Sequence, residues 1–242
     1  MNKHVFCMIM ASTLAACGGK PEPKAVETAP TAGSPPPVAT AARKGPKLGV
    51  QQELGEIDPK LAKAALEKAD PALFSCHKAG IKRVEYLSGA VKAFLRVGED
   101  GKVRWAYLED SSMGDRATER CMLDVLSRTP FPKPEGGDAE IHKGWTFDGG
   151  DAREPSPWPA DKLAAALDKQ KAEIAACRAG TKGSFKVTAY VEPDGARGKV
   201  ATVGIAPPDR DGESKVDCLV RALTGMEAPS PGSYAAKVSF SL

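Results

Sequence analysis

Cysteine is the residue type in this chain best placed to do chemistry. There are six: Cys7, Cys17, Cys76, Cys121, Cys177 and Cys218. A thiol can be alkylated, bind a soft metal or pair into a disulfide, and its surroundings decide which. Cys17 sits at a boundary. Small and apolar residues, Leu14-Ala15-Ala16, precede it, and Gly18 opens a polar stretch after it. Small residues on its N-terminal side suit an extended peptide entering a peptidase, with the thiol as nucleophile. Cys76, Cys121, Cys177 and Cys218 lie further on, in sequence of globular composition. In an exported chain an even number of cysteines argues for disulfides, and four allow three pairings. There is no C-x-x-C, which argues against a thiol oxidoreductase of the usual type.

The N-terminus supplies the export signal. Met1 to His4 contain one Lys, and Val5 to Ala16 form a compact apolar run, the pattern of a secretory leader. Its 12 residues fall short of the roughly 20 that a spanning helix needs. The stretch Leu14-Ala15-Ala16-Cys17-Gly18 resembles the lipobox of bacterial lipoproteins. That resemblance implies removal of residues 1–16, transfer of diacylglycerol to the Cys17 thiol and acylation of the new amine. Two or three acyl chains anchor a protein stably where one is marginal. Gly18 stands where an Asp would favour inner-membrane retention in that family. The expectation is therefore a lipid-anchored chain facing the periplasm, on the outer rather than the inner membrane.

Residues 17–55 read as the lipidated Cys and a disordered tether. Gly18 to Lys47 is rich in Pro, Ala, Thr and Ser, with Pro35-Pro36-Pro37 at its middle, and lacks the apolar surface needed to fold. Its reach is roughly 30 Å as a random coil and roughly 90 Å as extended polyproline. The net charge is +3, with both signs interspersed and no basic stripe interleaved with aromatics, so no nucleic-acid partner is expected.

The remainder is one pattern written twice. Cys76 to Cys121 spans 121 − 76 = 45 residues and Cys177 to Cys218 spans 218 − 177 = 41. Pro132 and Pro134 follow Cys121 at the same distances as Pro229 and Pro231 follow Cys218. Val91, Ala93, Leu95 and Val97 alternate, as do Phe185, Val187, Ala189 and Val191. Each run leads into an Asp-Gly turn, Asp100-Gly101 or Asp194-Gly195, which predicts a hairpin. Val103, Trp105 and Tyr107 are expected on one face of the return strand. Leu163, Leu167, Ile174 and Cys177 share a helical face. Asp58-Pro59 and Asp70-Pro71 read as N-caps followed by Pro at the first helical position. The fold class is α+β: two tandem repeats, 56–149 and 160–242, joined by a linker at 150–159. Each is α-β-β-α-β, with two helices on a three-stranded antiparallel sheet.

That order, with Cys76, Gly89, Asp100-Gly101, Ser111-Ser112, Cys121, Phe131-Pro132-Lys133-Pro134 and Trp145-Thr146-Phe147, resembles the TonB C-terminal-like domains, closest to the AgmX/PglI C-terminal type. The second repeat is a weaker match, through Gly183, Asp194-Gly195, Cys218 and Pro229-Ser230-Pro231, with an insertion near Ala196-Arg197-Gly198. The resemblance implies a protein-interaction module whose sheet edge takes up a partner's strand. Energy transduction of the TonB kind would need a spanning helix in place of the lipid anchor.

The duplication favours Cys76–Cys121 and Cys177–Cys218, one bond per repeat. A zinc site on Cys76, His77 and Cys121 is the competing reading, one ligand short of a closed site. No metal or cofactor is expected. Catalysis finds little support, because neither Gly-x-Ser-x-Gly, His-Glu-x-x-His nor a phosphate loop occurs. His77 reads as a helix-dipole partner, His142 as solvated, Glu109-Asp110 and Asp115 as wet surface, and Trp105, Trp145 and Phe147 as core. The expected function is a non-catalytic interaction or scaffolding module in an envelope or motility-type complex, with another envelope protein as partner. The alternatives are an enzyme or inhibitor acting on cell-wall material and a passive wall spacer.

Overall fold

Asp58 opens the first helix. Its Oδ1 accepts the backbone N–H groups of Lys60 (2.8 Å) and Leu61 (3.2 Å), and Pro59 supplies a first residue that needs no donor. A computed structural model describes residues 54–242; the leader, Cys17 and nearly all of the tether lie outside the described residues. Helix α1 runs Pro59–Ile81, followed by strands β1 (Gly89–Val97) and β2 (Val103–Ser111), helix α2 (Arg116–Arg128) and strand β3 (Ala139–Phe147). The three strands form an antiparallel sheet in the order β2-β1-β3. One face is covered by the helices through a core that includes Leu66, Leu73, Leu95, Leu108, Met122 and Phe147.

The second N-cap, expected at Asp70-Pro71, does not form, because Pro71 lies inside α1. An interior proline costs about 3 kcal/mol or more, through the lost hydrogen bond and a ring clash. Leu66, Leu73, Cys76 and His77, all buried, continue one face across it, and that burial outweighs the cost. Asp70 instead accepts the indole N–H of Trp145 at 2.8 Å. Pro71→Ala restores the donor to the Glu67 carbonyl and is expected to stabilise the protein by about 2 kcal/mol. A rise in the urea midpoint at unchanged slope would show it; an unchanged or lowered midpoint would refute it.

Two bulges correct the expected faces of β2. Val97 pairs with Val103 but Arg96 pairs with Trp105, and Lys92 pairs with Asp110 but Ala93 with Leu108. Arg104 and Glu109 are thus extra residues, and each reverses the alternation that follows. Val103 packs against the core, while Trp105 and Tyr107 point to the other face and stack with Phe94 at centroid distances of 4.9 and 5.3 Å.

The second half holds β4 (Ser156–Trp158), a 3₁₀ turn (Ala160–Leu163), α3 (Ala164–Lys169), α4 (Lys171–Arg178), β5 (Lys186–Asp194), β6 (Arg197–Ala206), α5 (Arg210–Leu223), β7 (Glu227–Ala228) and β8 (Ala236–Ser241). Its sheet has five strands, ordered β4-β8-β5-β6-β7, where three were expected. The extra strands are short. β7 adds two residues to the end of β6, and β4 comes from the expected linker and pairs in parallel with Ala236–Val238. The expected single helix is broken at Gln170 (φ −95°, ψ 4°), yet Leu163, Ile174 and Cys177 stay buried on one face. The protein is therefore α+β, with two sheets and two packed cores.

Candidate functional site

Each cysteine pair joins the helix before a hairpin to the helix after it. Cys76 in α1 bonds Cys121 in α2, with Cα atoms 5.7 Å apart, and Cys177 in α4 bonds Cys218 in α5, at 5.6 Å. The Cys76 and Cys121 sulfurs are thus committed to one another. His77 is buried and not at a helix-end carbonyl: its Nε2 lies 2.9 Å from the Leu87 carbonyl oxygen, and its ring packs on Phe147 at 5.1 Å. It pins the loop that leads into β1.

The acids divide in a way the sequence reading did not anticipate. Asp115, expected on a wet surface, is buried at the N-cap of α2, where it accepts from Arg83 (2.6 Å), the Thr118 hydroxyl (2.6 Å) and Thr202 (2.9 Å). Burial alone would raise its carboxyl, but the bonds from Thr118, Arg83 and Thr202 outweigh it and hold the group below the ordinary range. Glu119, one turn on, is completely buried; it accepts the Ser111 hydroxyl (2.5 Å) and the Ile205 N–H of β6 (3.1 Å). Burial pushes this carboxyl up, and its hydrogen bonds only partly offset that. Glu119, Met122, Leu123 and Leu126 share the apolar stripe of α2, and a lone acid on such a stripe is the signal that could have found it.

These groups belong to the seam between the halves. Tyr190 of β5 is fully buried and donates to the Ser88 carbonyl (3.1 Å), as does Lys237 (2.7 Å), while Tyr86 bonds Glu192. Gly114, at φ +75°, lies under the Tyr190 ring, and an added Cβ would come within 2.8 Å of it. Arg116 pairs with Glu213 and Asp217, both at 2.8 Å. Burial lowers the Lys237 ammonium to about 8.

The seam also determines which sheet edges are open. β6 packs near β2 without pairing with it, and the β6 edge is closed by Glu119 at Ile205 and by β7 at Gly198 and Lys199. On the outer edge of β8, β4 pairs with Ala236–Val238. On β3, by contrast, no strand pairs with the outer side of the nine residues Ala139–Phe147 among the described residues. Leu54–Glu56 meets the chain just before β3, through Gly55 N–H to the Asp138 carbonyl (3.0 Å) and a bridge from Glu56 to Glu135. Beside the open edge, α1 and β3 enclose a groove of about 460 Å³. Ile57, Ala62, Leu66 and Ile141 form its apolar floor, and Lys63, Glu67 and Lys143 stand on its rim.

The outer face of this sheet carries Phe94, Trp105, Tyr107 and His142. Trp105, expected in the core, is here, half-buried under Arg210 at 5.2 Å; Phe147 is in the core and Trp145 packs against it. His142 is half exposed, and its Nδ1 lies 2.9 Å from Glu109 Oε1. Glu109 also pairs with Lys92 (3.2 Å), and Asp110 forms an exposed pair with Lys186. Ion pairs and stacked rings thus occupy this face. No helix of the described residues is long and apolar enough to cross a membrane. The chain matches no protein-family model, no curated protein and no solved structure.

Proposed function

We propose that this chain is an envelope lipoprotein, anchored through Cys17 to the outer membrane, that binds another envelope protein by taking a strand of it onto β3. The helix-and-sheet units are read as duplicated TonB C-terminal-like domains of the AgmX/PglI type, working as a passive, non-catalytic interaction module. One observation carries the reading: β3 is a nine-residue edge with no strand partner among the described residues, and it lies beside an apolar groove. Strand addition uses such an edge, with main-chain bonds giving affinity and side-chain pockets giving selectivity. The disulfides are compatible with an oxidising compartment.

Successive residues of β3 aim their N–H groups in opposite directions, so one of His142→Pro and Lys143→Pro removes an outward donor and the other breaks the β1 ladder. The variant that keeps the wild-type melting temperature is the informative one. A photo-cross-linker at Glu140 in the full chain, expressed in its host envelope, is expected to capture a partner with β3 amide exchange slowed in the complex. The proline variant should lose that product. Capture that persists in the variant, or occurs without slowed exchange at β3, sinks the reading. Cys17→Ser should abolish incorporation of labelled fatty acid and release the chain from membranes; labelling that survives would refute the anchor.

A further inference from the structure

We infer that Pro155–Pro159 is a one-sided seal on the second sheet, built so that Ala236–Val238 of β8 are covered without a new strand-accepting edge being created there, in contrast to β3. The segment reads Pro155-Ser156-Pro157-Trp158-Pro159. Ser156, Pro157 and Trp158 pair in parallel with Ala236, Lys237 and Val238. The Ser156 N–H donates inward to the Ala235 carbonyl at 3.1 Å. Because backbone donors alternate in direction along a strand, the Trp158 N–H also faces β8, and the nitrogens of Pro155, Pro157 and Pro159 face away from it. Every outward position of this short strand is thus a residue without a donor, while both inward positions keep theirs.

The side chains fit that role. Trp158 packs against the core of the second half and holds the segment down, whereas Pro157 and Pro159 are exposed. Pro159 is extended, with φ −70° and ψ 145°, so the pattern continues to the end of the segment. An edge strand with free donors is a template for further pairing, and proline on the outer side is one of the ways to prevent it. β3 contains no proline in Ala139–Phe147 and keeps its whole set of donors. The edge next to the connection is blunted and the edge of the first sheet is not.

The statement about β3 rests on the strand-acceptor reading above, whereas the seal itself is read at β4 and is tested separately. The full chain carrying Pro155→Thr, Pro157→Thr and Pro159→Thr regains three outward donors. It is compared with the wild-type chain by sedimentation velocity and by amide exchange as protein concentration is raised. Both are made in the stability-neutral β3 proline background, so that pairing through β3 does not contribute. The triple variant is expected to form larger species with concentration, with exchange at 155–159 slowed about tenfold or more, as a formed ladder bond would do. The parent should do neither. A triple variant that stays the size of its parent, with β8 amides still protected, overturns the seal. Should the triple variant lose β8 protection, Pro157→Thr alone is read in the same way, since this proline is exposed. If β3 fails as an acceptor but the triple variant associates, the seal stands and the partner reading falls.

Discussion

Glu119→Ala is expected to destabilise the protein by about 2–4 kcal/mol, whereas Glu119→Gln leaves stability at neutral pH unchanged or raises it. Alanine strands two buried groups, the Ile205 N–H and the Ser111 hydroxyl, and opens a cavity under β6. The Gln carbonyl can still accept from Ile205, and no charge is then buried. The pH dependence separates the two carboxylates of the seam. Glu119 has a folded value above its ordinary 4.5, so the folded state binds more protons, and stability falls as pH rises from about that value through the folded one. Asp115 is held below its ordinary 3.8, so its contribution is present above that value and is lost as pH falls through the depressed one. Urea unfolding across the acidic to neutral range should therefore show a decline on the alkaline side of the optimum that Glu119→Gln removes. A Gln variant with the wild-type slope would refute the assignment. Calorimetry adds a second measurement: Glu119→Ala is expected to split one transition into two, because its bonds close the β6 edge and join α2 to the second half.

Removing the Cys76–Cys121 bond by Cys76→Ala with Cys121→Ala is expected to cost up to about 4 kcal/mol, close to the loop-closure value for its 45-residue separation. The 41-residue separation of Cys177–Cys218 gives nearly the same entropic figure. The two losses should nevertheless differ in character. Cys76 is buried in α1, the helix whose earlier turns wall the groove at β3, so loss of its bond to α2 loosens that helix. Amide exchange along α1 and β3 should accelerate in that variant while β5 and β6 stay protected, and the Cys177–Cys218 variant should show the converse. Equal acceleration in both halves would mean that the seam, rather than the bonds, sets local stability.

Helix and strand periodicity carried much of the outcome. Val91, Ala93, Leu95 and Val97 face the core as their alternation requires, and Asp58-Pro59 starts α1 as a cap. These features depend on neighbours a few residues apart. The same local logic fails at Asp70-Pro71, where the cap signature is genuine but the buried face of α1 runs through it. It fails again at Trp105 and Asp115. The first is turned outward by the bulge at Arg104, and the second is enclosed by Thr202 from the far half of the chain.

The open edge belongs to the same division. Composition, the doubled cysteine spacing and the hydrophobic periods determined that this chain makes helices, hairpins and disulfides, because each is governed by short-range geometry or by residue type. Which edge stays unpaired was decided by tertiary structure alone. β3 is open because no segment among the described residues pairs with its outer side, and the first half of β8 is covered because a proline-alternating connection falls beside it. Backbone donors are the same in every strand, so only the placement of distant segments can distinguish a satisfied edge from a free one.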